Sequence, residues 1–186
     1  DGGLGTMLIA RGLPVGAPPD AWTLDRPEVL AAIHRAYAEA GSEAVHANTF
    51  GSNPLRLGRF GLEARCEEIN ETALRLARES GARFVIADVG PTGEYLPPVG
   101  SADPAAWRGA FERQGLALAH SGADALHIET MSDKREALIA LEALLRTVPG
   151  VPVFVSLTFE RKRRGFFTIM GDPLVESLRE IHEAGA

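Results

Sequence analysis

Cysteine is almost absent from this 186-residue chain, and basic residues are fewer than acidic ones. The one cysteine, Cys66, leaves no partner for an intrachain disulfide, which indicates a reducing compartment and predicts a cytoplasmic protein. The formal net charge of −6 argues against nucleic acid or an anionic membrane surface as a partner. No segment resembles a secretory signal, and no apolar run approaches the roughly 20 residues of a membrane-spanning helix.

Short apolar segments rich in β-branched residues alternate with longer segments of helical periodicity. The predicted strands are residues 42–50, 83–90, 124–130 and 151–159. The predicted helices are residues 27–40, 62–80, 104–121, 133–147 and 173–184. Because one strand recurs about every 35 to 40 residues, we expect right-handed βαβ units and a parallel sheet.

Glycine, proline and aspartate mark the ends of the predicted helices. Glycines follow four of them, where a C-terminal cap is expected: Gly41, Gly81, Gly122 and Gly150. Pro104 and Pro173 suit first helical turns, and the preceding Asp103 and Asp172 suit N-cap positions.

Polar side chains share one face of each predicted strand, close to its C-terminal end. Successive side chains along a strand point to opposite faces. The polar set is His46, Asn48, Asp88, His127, Glu129, Ser156 and Thr158, and the alternate positions are mainly apolar. A sheet covered by helices on both faces should be apolar on both, so a (β/α) barrel with a polar mouth explains the pattern better. The alternative is that these polar groups only satisfy one another inside the barrel.

Two acidic residues are candidate ligand-binding groups. Glu129 lies near the end of the apolar run 125–130, where a carboxylate is costly to bury without a cationic or donor-rich partner. Asp1 precedes a glycine-rich turn, whose backbone N–H groups can hold a carboxylate. Together they suit a small zwitterion, whose ammonium group would contact Asp1 and Glu129. The first residues contain neither a P-loop nor a His/Cys cluster with metal-ligand spacing.

Two loops are open to a functional or a structural interpretation. Residues 91–101 are rich in proline and glycine and follow a strand, so they form either an active-site loop or a plain connector. Residues 161–164 are all basic and form either a solvated loop or a docking point for an acidic partner domain.

Six short motifs occur in the order and spacing of a known family. They are Asp-Gly-Gly-x-Gly-Thr-Met at 1–7, Ala-Asn-Thr-Phe-Gly at 47–51, Gly-Pro-Thr-Gly at 90–93, Ile-Glu-Thr at 128–130, Ser-Leu-Thr-Phe at 156–159 and Gly-Asp-Pro at 171–173. The chain thereby resembles the homocysteine S-methyltransferase family over its whole length. Residues 87–94 look most like the homocysteine-binding domain of cobalamin-dependent methionine synthases.

The resemblance implies an α/β fold, the (β/α)₈ TIM barrel, of which this chain would supply about the first five βα units. Residues 1–186 would be the N-terminal part of a single homocysteine-binding domain within a longer, multidomain chain. The cobalamin- and folate-binding domains of that chain would be its partners, and methylcobalamin on another domain would be the methyl donor.

The resemblance also implies roles for single residues, which would position the substrate rather than act as acid or base. The substrate-binding set would be Asp1 and Glu129 for the amino group of homocysteine, with Gly2, Gly3 and the turn of Asn48 and Thr49 for its carboxylate. In the family, a catalytic zinc holds the substrate sulfur as a thiolate, which takes the methyl group to give methionine.

The chain departs from the family pattern in two places. Ala47 replaces the usual threonine, but by strand parity it faces away from the predicted mouth. The family's zinc ligands are three late cysteines, in an Asn-Cys and a Gly-Cys-Cys motif, which we expect after residue 186, and Cys66 matches none of them. Two alternatives therefore stay open: a non-catalytic module that binds an amino acid or a corrinoid domain, and an unrelated barrel enzyme with Glu129 and His127 as an acid–base pair.

Overall fold

Four parallel strands form one sheet in the computed structural model, which describes residues 1–186. The strands are β1 (Ala44–His46), β2 (Phe84–Val89), β3 (Ala125–Met131) and β4 (Val153–Leu157). They lie side by side in chain order, and every pairing is parallel. Neighbours that follow chain order without a reversal form the wall of a barrel, whereas a doubly wound sheet reverses its order. The predicted fold, a partial TIM barrel, is confirmed.

Helices connect the strands, and the longer ones pack in sequence along one face of the sheet. They are α1 (Leu4–Ala10), α2 (Trp22–Asp25), α3 (Pro27–Glu39), α4 (Pro54–Gly58), α5 (Cys66–Arg78), α6 (Pro104–His120), α7 (Lys134–Thr147) and α8 (Leu174–Glu183). Five of them correspond to the five predicted helices. None combines the length and apolar composition that crossing a membrane would require.

The helix-facing side of the sheet, called here the outer face, carries the core. Val45, Val85, Leu126 and Ile128 are buried there in one cluster with side chains of α5, α6 and α7. Burying each such side chain contributes about 1.5–3 kcal/mol of hydrophobic stabilisation. These residues are alternate, apolar positions of the predicted strands, so the parity prediction is confirmed within the strands; Asn48 and Thr158 lie beyond the ends of β1 and β4.

The opposite side of the sheet, called here the inner face, is less covered. Phe84 of β2 and Phe154 of β4 point to this side and are 40% and 57% exposed. His46, Asp88 and His127 share the same strand parity. The inner face therefore carries the polar groups, and beside them lie phenylalanine rings that are partly exposed.

Most of the predicted helix boundaries agree with the structure, with two corrections at the start of α8. Each of the four capping glycines has a positive φ, between 70° and 99°, and Asp103 accepts a hydrogen bond from the N–H of Ala105 as an N-cap should. The predictions of Asp172 as the N-cap and of Pro173 as a first-turn residue are both wrong by one position, because Pro173 is the N-cap and α8 begins at Leu174. Asp172 instead accepts a hydrogen bond from the hydroxyl of Thr168 and helps to close the preceding turn.

Several short elements appear outside the predicted strands and helices, among them α1, α4 and a hairpin. Residues 4–10, which overlap the glycine-rich turn predicted within residues 1–7, form α1, because Leu8 is buried against Leu30 and Ile33 of α3. The short helix α4 follows Asn53, whose side chain caps it. Residues 160–167 form an antiparallel hairpin of β5 (Glu160–Lys162) and β6 (Gly165–Phe167), which contains the basic run.

Candidate active site

A cavity of about 520 Å³ opens at the C-terminal ends of β1, β2 and β3. Only three of its 17 lining residues are hydrophobic. The ionisable residues in the lining are Asp1, Asp20, His46, Arg56, Asp88, His127 and Glu129. This set contains four carboxylates and one permanently cationic side chain, Arg56. The cavity can therefore offer acceptors to an ammonium group and a donor to a carboxylate within one space.

Three of these side chains meet on the inner face, one from each of three adjacent strands. Asp88 on β2 and His127 on β3 are direct partners in the strand register, and His46 ends β1. Nε2 of His46 and Nδ1 of His127 each lie 3.7 Å from Oδ1 of Asp88, and 3.4 Å from one another. Oδ1 of Asp88 is buried and has no hydrogen-bond partner. An unpartnered buried carboxylate oxygen is unfavourable, so this cluster is unsatisfied by protein groups alone.

Each histidine ring is oriented from outside this cluster by its other nitrogen. Nδ1 of His46 lies 2.8 Å from Oδ1 of Asp1, and Nε2 of His127 lies 3.1 Å from Oγ of Ser156. A carboxylate can only accept, so the proton of a neutral His46 lies on Nδ1. The other nitrogen of His46 then presents a lone pair to Asp88.

Burial and neighbouring charges shift two of the pKa values in the cluster. Burial raises the pKa of Asp88 to about 8, His46 opposes the shift, and the nearby Glu129 carboxylate adds to it. Burial also lowers the pKa of His127. Both shifts disfavour charge on the cluster itself, as expected where an ionisable group lacks a partner of opposite charge. Perturbed groups in a cleft are typical of functional sites.

Glu129 reaches the cavity from an irregular part of β3. The register shifts there: Ile128 pairs with Val155 but Met131 pairs with Leu157, so β3 contains one extra residue. Thr130 has φ of 59°, in the left-handed region that a β-branched residue rarely occupies. Such bulges re-aim side chains next to active sites. Both Glu129 and Thr130 line the cavity.

Five of the six residues predicted to bind substrate line this cavity: Asp1, Gly2, Gly3, Asn48 and Glu129. The sixth, Thr49, is fully buried, and its hydroxyl donates to the carbonyl of Asp88 at 2.8 Å. The Asn48 amide donates to the carbonyl of Pro19 and to Oγ1 of Thr23. The side chains of Asn48 and Thr49 thus hold the wall of the cavity together.

The carboxylate of Asp1 is bound to His46 on both oxygens. Oδ2 accepts from the backbone N–H of His46 at 2.9 Å, while Oδ1 faces its Nδ1. Gly2 allows this segment to approach α3, because a Cβ at Gly2 would lie 2.8 Å from the hydroxyl oxygen of Tyr37. Gly3 then occupies the N-cap position of α1.

No sequence pattern points to Arg56 or Asp20, which also line the cavity. The guanidinium of Arg56 lies 5.0 Å from the centre of the Phe50 ring, and its Nη1 donates to the carbonyl of Pro91 at 3.3 Å. Asp20 is buried, accepts from Oγ of Ser52 at 2.6 Å, and has its pKa raised by burial. Arg56 lies on α4, a helix too short to show periodicity, so only the fold brings it to the cavity.

The loop 91–101 lies outside the cavity lining. Its Thr92 donates from both N–H and hydroxyl to Oε1 of Glu136 on α7. These contacts favour the connector interpretation. Cys66 also lies away from the cavity, where its buried thiol donates to the carbonyl of Ser52. Burial raises the pKa of Cys66 to about 12, so it stays a thiol.

The fold and cavity define a partial TIM barrel with a carboxylate-rich site at the C-terminal ends of its strands, where barrel enzymes bind their substrates. A family model described as homocysteine S-methyltransferase matches residues 1–186. The chain belongs to the homocysteine S-methyltransferase family.

The most similar named relatives include two methionine synthases. The protein of Mycobacterium tuberculosis (strain ATCC 25618 / H37Rv) is 34% identical over 86% of this chain and 15% of its own length. That of Mycobacterium leprae (strain TN) is 33% identical over 73% of this chain and 12% of its own length. The chain thus spans about one seventh of the length of these relatives.

Solved structures with the same fold include the homocysteine methyltransferase MmuM of Escherichia coli. Its metallated form superposes with a TM-score of 0.83 at 24% identity, covering 100% of this chain and 70% of that one. Its oxidized form has a TM-score of 0.81 at 25% identity, covering 96% and 67%. The four-stranded sheet and its helices are therefore the arrangement found in that enzyme.

Proposed function

We propose that this chain supplies the homocysteine-binding part of a homocysteine S-methyltransferase of the methionine synthase type. The observation that carries the proposal is the cavity at the strand ends, where several carboxylates and one guanidinium surround a space suited to a small amino acid. Family membership selects homocysteine among small amino acids, because the matching family is named for it.

In the proposed complex, Glu129 binds the ammonium group of homocysteine. Its carboxylate is on the cavity wall, at a bulge that re-aims the strand, and no protein side chain forms an ion pair with it. Asp1 acts by holding His46 in place at the cavity, because both oxygens of its carboxylate are already bound to that residue. A charge-assisted contact to Glu129 fixes the orientation of the substrate, which is a large part of catalysis by proximity.

The carboxylate of homocysteine is proposed to lie against Gly2, Gly3 and the turn at 48–49. Gly2 and Gly3 line the cavity, and glycine allows close backbone approach to a ligand. Arg56 is a further candidate for this role, because it is the cationic side chain of the cavity and its planar fork matches a carboxylate.

Zinc, which the family resemblance implies, is not assigned a place on these residues. The family's ligand set is three cysteines, and Cys66 is buried on α5 with a pKa of about 12. Cys66 is therefore unsuited to be a thiolate ligand of zinc, and the proposed reaction assigns it no role. We propose that cysteines after residue 186 complete the thiolate site.

The donor and partners in this proposal are methylcobalamin and the cobalamin- and folate-binding domains of a longer polypeptide. Support comes from the two methionine synthases, of which this chain spans 15% and 12%. Residues 1–186 would be the N-terminal part of one barrel, since Phe84 and Phe154 on its inner face are partly exposed. A cytoplasmic location is proposed from the free, buried thiol.

Calorimetric titration of the full-length polypeptide tests the role of Glu129. L-homocysteine and 4-mercaptobutyrate differ only in the amino group, so their affinity ratio reports the ammonium contact. Glu129→Gln should weaken homocysteine binding about 30-fold, or about 2 kcal/mol, and leave 4-mercaptobutyrate nearly unchanged. Glu183→Gln, at the exposed end of α8, is the matched control.

An unchanged affinity ratio in Glu129→Gln would remove Glu129 from the proposed site. A second readout is methionine formation from homocysteine and methylcobalamin. Tight homocysteine binding without turnover in the full-length polypeptide would favour the non-catalytic binding module. The unrelated acid–base enzyme is no longer an alternative, because the family model covers the whole chain.

A further inference from the structure

We propose that His46, Asp88 and His127 form a binding site for one divalent transition-metal ion. The ligand atoms would be Nε2 of His46, Nδ1 of His127 and Oδ1 of Asp88, which lie together on three adjacent strands. This proposal goes beyond the proposed homocysteine site and does not depend on it. Its ligands are imidazole and carboxylate, whereas the set implied by the family resemblance is made of cysteines.

The spacing of the three atoms matches the size of a metal ion. They form a triangle with sides of 3.4, 3.7 and 3.7 Å. The centre of such a triangle lies about 2.1 Å from each corner, which is the usual length of zinc–nitrogen and zinc–oxygen bonds. An ion seated there would need almost no movement of the backbone.

Protein contacts among the three atoms amount to one long hydrogen-bond contact, 3.4 Å between Nδ1 of His127 and Nε2 of His46. Both 3.7 Å separations are too long for hydrogen bonds, and Oδ1 of Asp88 is a buried acceptor without a donor. The Nδ1–H of His46 is directed to Asp1, so its Nε2 presents a lone pair, and Nδ1 of His127 also presents one in the tautomer that donates from Nε2 to Ser156. Three lone-pair atoms that converge repel one another unless a cation lies between them.

The partners behind the ligands follow the pattern of known metal sites. Metal-bound histidines usually donate their other ring N–H to a carboxylate, a carbonyl or water, which fixes the tautomer and the ring orientation. Asp1 provides such a carboxylate for His46, and the hydroxyl of Ser156 can accept from Nε2–H of His127 when its Nδ1 is the metal ligand. The contact between Asp1 and His46 is therefore explained by the proposed ion as well as by packing.

The ligand set selects the class of ion and leaves it accessible. Two imidazoles and one carboxylate suit zinc, iron(II), cobalt(II) or nickel(II), while magnesium and calcium prefer oxygen ligands only. The side chains of His46 and His127 are 30% and 23% exposed toward the cavity. The remaining coordination positions would thus be open to water or to a donor atom of a bound ligand.

Cobalt(II) titration of the metal-stripped full-length polypeptide tests the site by visible absorption. Imidazole and carboxylate ligands give visible bands alone, whereas thiolate ligands add a sulfur-to-cobalt band in the near ultraviolet, so the two types of site are counted separately. We expect one cobalt equivalent without the sulfur band. Asp88→Asn and His127→Gln should each bind that equivalent at least about 100-fold more weakly.

Matched variants separate the site from general effects. His120→Gln and His182→Gln remove exposed helix histidines and should keep the full cobalt equivalent. Ser156→Ala should weaken the affinity for cobalt(II) about tenfold, because only the orientation of His127 is affected. Circular dichroism checks that each variant folds. If Asp88→Asn fails to fold, the cobalt(II) affinities of His127→Gln and Ser156→Ala test the proposal.

Two results would overturn the proposal. One is cobalt uptake that is equal in the wild type, Asp88→Asn and His127→Gln. The other is a wild-type spectrum in which every bound cobalt shows the sulfur band. Homocysteine affinity measured on the same samples distinguishes this failure from a failure of the proposed function, because normal homocysteine binding without the cobalt equivalent removes only the metal site.

Discussion

The two faces of the sheet differ in how their side chains are stabilised. On the outer face, Leu126 and Ile128 pack among helices, where hydrophobic contacts need no particular direction. On the inner face, Asp88 and His127 alternate with them along adjacent strands and need partners at defined angles and distances. The outer face can be completed by any well-fitting apolar neighbour. On the inner face, protein groups alone leave a buried acceptor of Asp88 without a hydrogen-bond partner. This unmet demand for a partner indicates that the inner face is the functional side.

The largest effect should come from the outer face. Leu126→Ala removes a fully buried side chain from β3 and should lower the free energy of unfolding by about 3–4 kcal/mol. Leu116→Ala, at an exposed position of α6, should change it by less than about 0.5 kcal/mol. Urea unfolding measures both, and equal losses would contradict the assignment of the core to this face.

His34 of α3 is a buried polar exception on the helix side, and it should make stability depend on pH. Burial lowers its pKa to about 4, and neither ring nitrogen has a partner. The folded state therefore holds fewer protons than the unfolded state, where the pKa is about 6.5. The contribution of neutral His34 to the free energy of unfolding is therefore fully present above pH 6.5. It is lost as the pH drops toward 4, which lowers the free energy of unfolding by up to about 3 kcal/mol.

The variant His34→Leu should flatten this acid dependence, because no proton can then bind at the position. Urea unfolding at pH 7, 5.5 and 4.5 measures the change, with His120→Gln as the control that keeps the wild-type slope. An identical slope in His34→Leu and the wild type would show that other groups set the acid sensitivity.

Asn48 lies between the two faces, at the cavity wall, and should behave as a structural residue. Asn48→Ala deprives the carbonyl of Pro19 and the hydroxyl of Thr23 of a donor, which should cost about 2 kcal/mol of unfolding free energy. Asn48→Asp keeps the size but also loses the donor, so it should cost at least as much. Unchanged stability with weakened homocysteine binding would instead show that the side chain of Asn48, and not only the backbone of its turn, contacts the ligand.

The smallest effect is expected in the hairpin of β5 and β6, which belongs to neither face. Arg161 and Lys162 are exposed there, and Lys162 pairs only with the neighbouring Glu160. Arg161→Glu should therefore change the unfolding free energy by no more than about 0.5 kcal/mol, as should Arg161→Gln. Weaker association with a partner domain in Arg161→Glu, but not in Arg161→Gln, would support the docking interpretation.

Much of the fold follows from local sequence pattern. The four strands and the five long helices lie where alternation and helical periodicity predict them, because those periods are properties of the backbone itself. Alternation also predicts which face is apolar, and the burial of Val45, Val85 and Leu126 confirms it. Helix α1 and the hairpin at 160–167 escape prediction, since both are short and α1 depends on contacts of Leu8 with α3.

The candidate site is only partly visible in the sequence. Five of the six named residues line the cavity, but Asp1 contacts His46 and Asn48 contacts Pro19, contacts that span many residues of chain. Arg56 enters the cavity from a short helix that carries no periodic signal. These positions depend on packing between distant segments, which no local pattern records.

The sequence by itself determined the strands, the long helices and the separation of polar from apolar faces, because each of these follows from a repeat along one stretch of chain. Only the tertiary structure decided that His46, Asp88 and His127 meet within 3.7 Å of one another. Their distances depend on strand register and sheet twist, which are set by the packing of the whole sheet against its helices.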